Sequence, residues 1–206
     1  MDVLARVHEI GVVPVVVLNK VEDTRTALDT LIEGDVPVAE ICFRTPCAAD
    51  CIKLAAKEYG EKVLVGAGTV INAAQCEEAI ACGAQFIVSP GFSKSVCDVC
   101  KKHNIPYLPG VVTPTEIMEG IENGITTFKF FPAGVFGGLK AIKALAAAFP
   151  ACKFMPTGGV DNSNIAEFVK FDKIVACGGS WVLKGTKEEQ VAACLEARKI
   201  IKENRK

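Results

Sequence analysis

The sequence predicts an α/β protein, a single-domain (β/α)8 barrel of residues 1–206 with a short N-terminal helix before the first strand. Three observations predict it. Short β-branched or apolar runs alternate with amphipathic stretches of helical length, the pattern of βαβ units and a parallel sheet. Eight such units follow one another, enough to close a ring, in a chain that is compact beside the ~250 residues usual for this fold. The corner after the first strand reads Asn19-Lys20-Val21-Glu22 and not GxGxxG, so the usual mark of an open doubly wound sheet is absent.

Taken in order, the first unit pairs a strand at 13–18 with a helix at 24–33. The second strand, 38–43, carries Glu40-Ile-Cys-Phe-Arg44-Thr45 at its C-terminal end and leads to a helix at 48–59. The third, 63–66, turns through Gly66-Ala-Gly68-Thr69 into 73–82; the fourth, 85–89, turns through Ser89-Pro90-Gly91 into 94–102. A fifth strand at 106–109 ends on Pro109-Gly110 before a helix at 115–123. The sixth, 127–131, ends on Lys129-Phe-Phe131-Pro132 before 139–148; the seventh, 153–156, ends on Thr157-Gly158-Gly159 before 163–168. The eighth, 173–177, ends on Gly178-Gly179-Ser180 before a Lys/Glu-rich helix at 187–203. In a barrel, chemistry belongs to these C-terminal strand ends and the loops after them.

Composition narrows the function. The chain has 206 residues, half of them hydrophobic, and a net charge of −1, with no basic footprint for nucleic acid and no polybasic membrane signal. No apolar run approaches the roughly 20 residues of a membrane span, and the charged N-terminus does not open a signal peptide, so a soluble cytoplasmic protein is expected. Of ten cysteines, only Cys97 and Cys100 form a CxxC, and no second pair or His-rich partner completes a zinc site. Reduced thiols serving as small apolar residues are the expectation.

Alternation along strands puts unusual charges inside. Residues two apart share a face, so Phe128 and Phe130 form an aromatic face for the helix layer and Lys129 points inward. Ala39, Ile41 and Phe43 likewise face the helices, while Val38, Glu40, Cys42 and Arg44 face inward. Glu40, Arg44 and Lys129 are therefore expected in one enclosed space. One reading is a structural ion pair, because an isolated buried charge costs several kcal/mol unless paired or neutralised. The other is chemical. Desolvation and a neighbouring cation favour the neutral amine, which attacks carbonyls; Glu40 would carry protons and Arg44 would grip a carboxylate at two points. The two glycine pairs after the seventh and eighth strands sit where this fold commonly holds phosphate, with Ser180 adding a hydroxyl.

Seven strings resemble the 2-keto-3-deoxy-6-phosphogluconate (KDPG) and 4-hydroxy-2-oxoglutarate (KHG) aldolases, in the same order from about Val13 to Trp181. They are Glu40-Ile-Cys-Phe-Arg44-Thr45, Gly66-Ala-Gly-Thr69, Phe86-Ile-Val-Ser-Pro90-Gly91, Pro109-Gly110-Val111, Phe128-Lys129-Phe-Phe131-Pro132-Ala133, Pro156-Thr157-Gly-Gly159 and Gly178-Gly-Ser180-Trp181. The resemblance implies a class I aldolase without metal or cofactor, a homotrimer that binds a small keto-acid sugar phosphate and releases pyruvate and glyceraldehyde 3-phosphate. Lys129 matches the Schiff-base lysine and Glu40 the acid/base. Arg44, Thr69 and Pro90 match the pocket around the pyruvyl carboxylate, Phe131 the aromatic wall, and Gly158, Gly159, Gly178, Gly179 and Ser180 the phosphate site. Thr157 matches enzymes of the gluconate-derived sugar better than those of its galactonate epimer. Gly134 and the Cys42-Phe43 pair depart from the commoner residues. The rival readings are a same-fold isomerase or decarboxylase, which would lean on an inward histidine or carboxylate, and a non-catalytic sugar-phosphate-binding barrel. His8 and His103 lie away from strand ends and are expected to be structural.

Overall fold

The computed structural model describes residues 2–205; Met1 and Lys206, the two ends of the expected domain, lie outside the described residues. The short N-terminal helix is α1 (Val3–Ile10), whose first N–H groups are met by the Asp2 side chain and which stops at Gly11 in the left-handed region, φ 78°. The strands are β1 (Val12–Val16), β2 (Val38–Cys42), β3 (Leu64–Gly68), β4 (Phe86–Val88), β5 (Tyr107–Leu108), β6 (Gly110–Val111), β7 (Thr127–Phe130), β8 (Lys153–Pro156) and β9 (Cys177–Gly179). Between them run α2 (Asp23–Glu33), α3 (Ala48–Tyr59), α4 (Ala73–Ala81), α5 (Lys94–His103), α6 (Pro114–Glu122), α7 (Gly138–Ala148) and α8 (Ile165–Val169), with α9 (Lys187–Asn204) at the end. Thr113 with Glu116 and Thr186 with Glu189 form capping boxes that start α6 and α9.

All strand pairings are parallel, as the alternation with helices requires. Six strands run in the order β5-β4-β3-β2-β1-β9 and three in the order β6-β7-β8. The fifth expected strand, 106–109, thus keeps only Tyr107 and Leu108 as β5; Pro109 has no N–H to give a ladder, and the chain resumes pairing beyond it as β6. Single parallel bridges, Phe154 to Ile174 and Thr157 to Gly178, link β8 to the segment that carries β9. The architecture is a single α/β domain built on a curled parallel sheet.

The eighth expected strand moves. Residues 173–176 contribute only the Ile174 bridge, and β9 begins at Cys177. The ladder with β1 decides this: Gly178 and Gly179 pair with Val13 and Pro14, so the glycines lie inside the strand and not after it. A Cβ on Gly178 would collide with the Thr157 hydroxyl, so glycine here lets two backbones approach.

The expected faces hold in β7. Phe128 and Phe130 are fully buried, and Phe128 sits over Gly120 of α6, where a Cβ would lie 2.7 Å from its ring tip. Phe86, Phe128, Phe130 and Phe154 are the largest fully buried side chains, each stabilising the fold by roughly 1.5–3 kcal/mol. Arg198 of α9 ties the C-terminal helix to α1, donating to the carbonyls of Glu9 (2.9 Å) and Ile10 and pairing with Asp35 (3.2 Å). No helix among the described residues is long and apolar enough to cross a membrane.

Gly66 faces the ring of buried Phe86 so closely that an added Cβ would overlap it. Gly66→Ala is expected to destabilise the fold by about 1–3 kcal/mol through overpacking, read as a lower urea midpoint; an unchanged midpoint would mean the ring has room to move.

Candidate active site

Strands β2 and β7 lie in different sheets, and their inward side chains meet across the interior. Lys129 Nζ lies 3.1 Å from Glu40 Oε1, joining residues 89 apart in sequence. The lysine side chain is 3% exposed and the glutamate 0%. Removing either partner of such a pair typically costs 3–5 kcal/mol, because the other charge is left uncompensated. The second oxygen, Glu40 Oε2, is buried and has no hydrogen-bond partner among the described residues. A carboxylate accepts through both oxygens, so Glu40 keeps acceptor capacity beyond its bond from Lys129.

The neighbours fix this geometry. In parallel register Glu40 lies opposite Gly66 and Cys42 opposite Gly68. A Cβ on Gly68 would collide with Glu40 Oε1, so the missing side chain is the space into which the carboxylate fits. Cys42, on the same face, places its sulfur 4.0 Å from Glu40 Oε1. Burial, then the Glu40 charge, pushes its thiol up to about 11, so it remains protonated and uncharged beside the carboxylate. The Phe131 ring lies under the lysine, 5.1 Å from Nζ to the centroid, a cation–π distance. Its link to the next residue, Phe131–Pro132, is cis.

Arg44 corrects the expectation. The strand ends at Cys42, so alternation no longer governs position 44, and Arg44 is exposed at the rim and not enclosed with Glu40 and Lys129. Its Nε donates to Thr69 Oγ1 at 2.9 Å, and Glu40 is paired with Lys129 instead. Thr69 holds a left-handed backbone, φ 56°, an outlier for a β-branched residue that costs about 1–3 kcal/mol. Pro90 is exposed at the end of β4 and lines a small cavity of about 180 Å³ with Val70, Ile71 and Phe92.

The glycine loops gather at the same ends of β8 and β9. Gly158 and Gly159 are both left-handed, φ 85° and 83°, and Asn164 Nδ2 holds the Gly159 carbonyl at 2.9 Å. Thr157 is buried against Gly178, bridged to it and donating to the Met155 carbonyl at 3.4 Å. Ser180 is exposed just before the 3-10 turn Trp181–Leu183, and it borders a cavity of about 540 Å³ together with Val16, Leu18, Asp23 and Lys184. The Trp181 indole packs where a Gly179 side chain would be and donates to Asn162 Oδ1 at 2.8 Å.

Lys129, Glu40 and Phe131 are thus brought together, Arg44 joins Thr69 at the rim, and the loop glycines Gly158 and Gly159 follow Thr157, which is bridged to Gly178 of β9, the strand that Ser180 follows. Sequence reasoning missed Gly68 and Asn162. Gly68 was signalled by the Gly-Ala-Gly run of a strand that pairs with the one bearing Glu40; nothing in the spacing pointed to Asn162. His8 and His103 lie elsewhere, on the Val175 carbonyl (3.1 Å) and on Glu77 (2.7 Å). Among the described residues no group of three or more His, Cys, Asp or Glu side chains is placed to hold a metal ion.

Known proteins give this arrangement its class. Residues 3–196 match the family model described as KDPG and KHG aldolase. The 2-dehydro-3-deoxy-phosphogluconate aldolase of Treponema pallidum is 42% identical over 183 residues, 89% of this chain and 87% of that protein. The crystal structure of the Zymomonas mobilis ZM4 2-keto-3-deoxy-6-phosphogluconate aldolase with 3-phosphoglycerate superposes with a TM-score of 0.89 at 34% identity, covering 95% and 94% of the two chains. The Legionella pneumophila KDPG aldolase, with pyruvate captured as a covalent carbinolamine, superposes at 0.85 with 32% identity and 98% of each chain covered. The protein is a carbon–carbon lyase of the aldolase class. Within that class, the chain belongs to the KDPG and KHG aldolase family.

Gly68→Ala would force Glu40 out of its niche. It is expected to lower kcat for aldol cleavage by roughly 10²-fold, the scale of an ångström-sized misplacement, with little change in KM. An unaltered kcat would show that the carboxylate has slack.

Proposed function

We propose that the protein cleaves 2-keto-3-deoxy-6-phosphogluconate to pyruvate and glyceraldehyde 3-phosphate through a Schiff base on Lys129, and 4-hydroxy-2-oxoglutarate to pyruvate and glyoxylate by the same steps. The observation that carries the reading is the buried pair of Lys129 Nζ and Glu40 Oε1 at 3.1 Å, with Glu40 Oε2 open to a further partner. The carbinolamine captured in the Legionella pneumophila relative supports an amine nucleophile.

One proton crossing that pair leaves a neutral amine beside a carboxylic acid. The amine attacks C2 of the keto acid, and Glu40 returns the proton to the new hydroxyl, which leaves as water and yields the iminium. Glu40, again a carboxylate, takes the proton of the C4 hydroxyl; the C3–C4 bond breaks, the aldehyde departs, and its electron pair passes into the iminium to form an enamine. Protonation at C3 and hydrolysis release pyruvate and restore the pair. Arg44 and Thr69, hydrogen-bonded at 2.9 Å, receive the pyruvyl carboxylate, with Pro90 beside them and Phe131 as the wall under the imine. Gly158, Gly159, Gly178, Gly179 and Ser180 receive the phosphate, and Thr157 borders that end; the 3-phosphoglycerate held by the Zymomonas mobilis relative supports an anion of this class.

Several wider readings go with this one. Residues 1–206 form a single (β/α)8 domain: β5 and β6, parted only by Pro109, count as one strand of the ring, and the bridges from β8 toward β9 support closure. Exposed Val135 and Phe136 give apolar surface that neighbouring copies in a homotrimer would cover. A cytoplasmic enzyme that needs no cofactor completes the reading.

Borohydride added with pyruvate is expected to inactivate the enzyme and to label the peptide bearing Lys129; labelling elsewhere, or none, would favour a non-catalytic sugar-phosphate-binding barrel. Lys129→Met is expected to abolish turnover while the fold persists by circular dichroism, and turnover surviving in that variant would remove the covalent route. Glu40→Gln should slow imine trapping by roughly 10²–10⁴-fold, the loss typical of an acid/base group; near-normal trapping would assign the proton transfers elsewhere. Pyruvate release from the gluconate-derived substrate, its galactonate epimer and 4-hydroxy-2-oxoglutarate, compared by kcat/KM, measures the preference, which is expected to fall on the gluconate form.

A further inference from the structure

We propose that Cys76 and Cys100 form a two-thiol modification site, converted to a disulfide by small hydroperoxides that enter a cavity at the N-terminal ends of the strands. The sequence draws attention to Cys97 and Cys100 as a CxxC, but the fold gives Cys100 a different partner. Cys76 of α4 and Cys100 of α5 place their sulfurs 3.5 Å apart, across 24 residues of sequence. Both are buried, at 0% and 2% exposure. Closing the contact to an S–S bond of about 2.05 Å asks for roughly 1.5 Å of side-chain movement.

Access comes from beneath the sheet. Cys97 and Cys100 line a cavity of about 330 Å³ bounded by Leu4, Asn104, Tyr107 and Thr127. The segments that line it run into β5 and β7 from their starts, so it lies at the end opposite the candidate active site. Its volume exceeds the ~30 Å³ of a water several times over, enough for a peroxide. The sulfurs also share a hydrogen bond; it holds the Cys76 thiol below its ordinary value and, with burial, pushes Cys100 up, so the thiolate of the pair forms on Cys76, beside the cavity-lining Cys100.

The chemistry balances with hydrogen peroxide as oxidant. The thiolate of the pair attacks one peroxide oxygen, the O–O bond breaks, and the departing hydroxide takes up a proton as water, leaving a sulfenic acid. The second thiol attacks the sulfenyl sulfur, forming the S–S bond, and the displaced hydroxide leaves as a second water. Two thiols and one peroxide become one disulfide and two waters.

The test uses the full chain exposed to a modest excess of hydrogen peroxide, with remaining thiols alkylated and peptides mapped without reduction. A chain lighter by two hydrogens, with a cross-linked peptide joining Cys76 to Cys100 and released by dithiothreitol, is the expected result. The link should persist in Cys97→Ser and vanish in Cys100→Ser and in Cys76→Ala. A bond joining Cys97 to Cys100, or one joining Cys47 to Cys51, whose sulfurs lie 3.8 Å apart, in place of the proposed one would overturn the assignment. So would sulfinic acid at Cys76 or Cys100 without any cross-link.

Discussion

The contact between Lys129 and Glu40 constrains the rest of the molecule, because it places opposite charges inside a protein interior where neither is stable alone. Their desolvation is offset only if the partners meet at hydrogen-bond distance, and they come from strands that are not neighbours. The sheet must therefore curl until β2 and β7 face each other across the interior. Parallel strands with helices on the outside permit that curvature, and the fully buried phenylalanines of β7 hold Lys129 inward by occupying the opposite face.

Space is the second half of the same constraint. A charged pair at the centre of a packed core needs room that ordinary side chains would fill. Gly68 leaves that room beside the carboxylate, Gly66 leaves it for the Phe86 ring one layer away, and Gly178 lets β9 and Thr157 approach. These glycines do not provide turns; each stands in a strand or at its end where a Cβ would strike a named neighbour. The backbone flexibility that glycine brings is a cost to stability, and the buried aromatic area around these positions offsets it.

The sequence was informative where a local period decides the outcome. Helix α3 and strand β8 fall at their expected bounds, and the inward face of β7 follows from alternation alone. Legibility fails where a distant partner decides. Arg44 lies past the point at which β2 stops pairing, so counting by twos carried it inside when it belongs at the rim with Thr69. The start of β9 is set by its ladder with β1, not by the β-branched run at 173–177. Cys97 and Cys100 stand out as the one CxxC, whereas helix packing brings Cys76 against Cys100, a contact that no spacing within α5 encodes. The left-handed Thr69 was also invisible, since nothing in a threonine announces a positive φ.

Because every strand runs the same way, the two ends of the sheet are chemically unequal. At the C-terminal ends lie the strained Thr69 and the left-handed Gly158 and Gly159. At the N-terminal ends, Arg198 binds the Glu9 and Ile10 carbonyls, and Arg205 binds those of His8 and Val175, closing α9 over α1 and the approach to β9. Strain of one to a few kcal/mol persists only where the surroundings over-determine it. Contacts concentrated at the far end provide that without occupying the groups that would meet a substrate. The polarity of the sheet thus separates the part of the molecule that holds the fold from the part left open for chemistry, and a side chain's burden can be read from which end of its strand it follows.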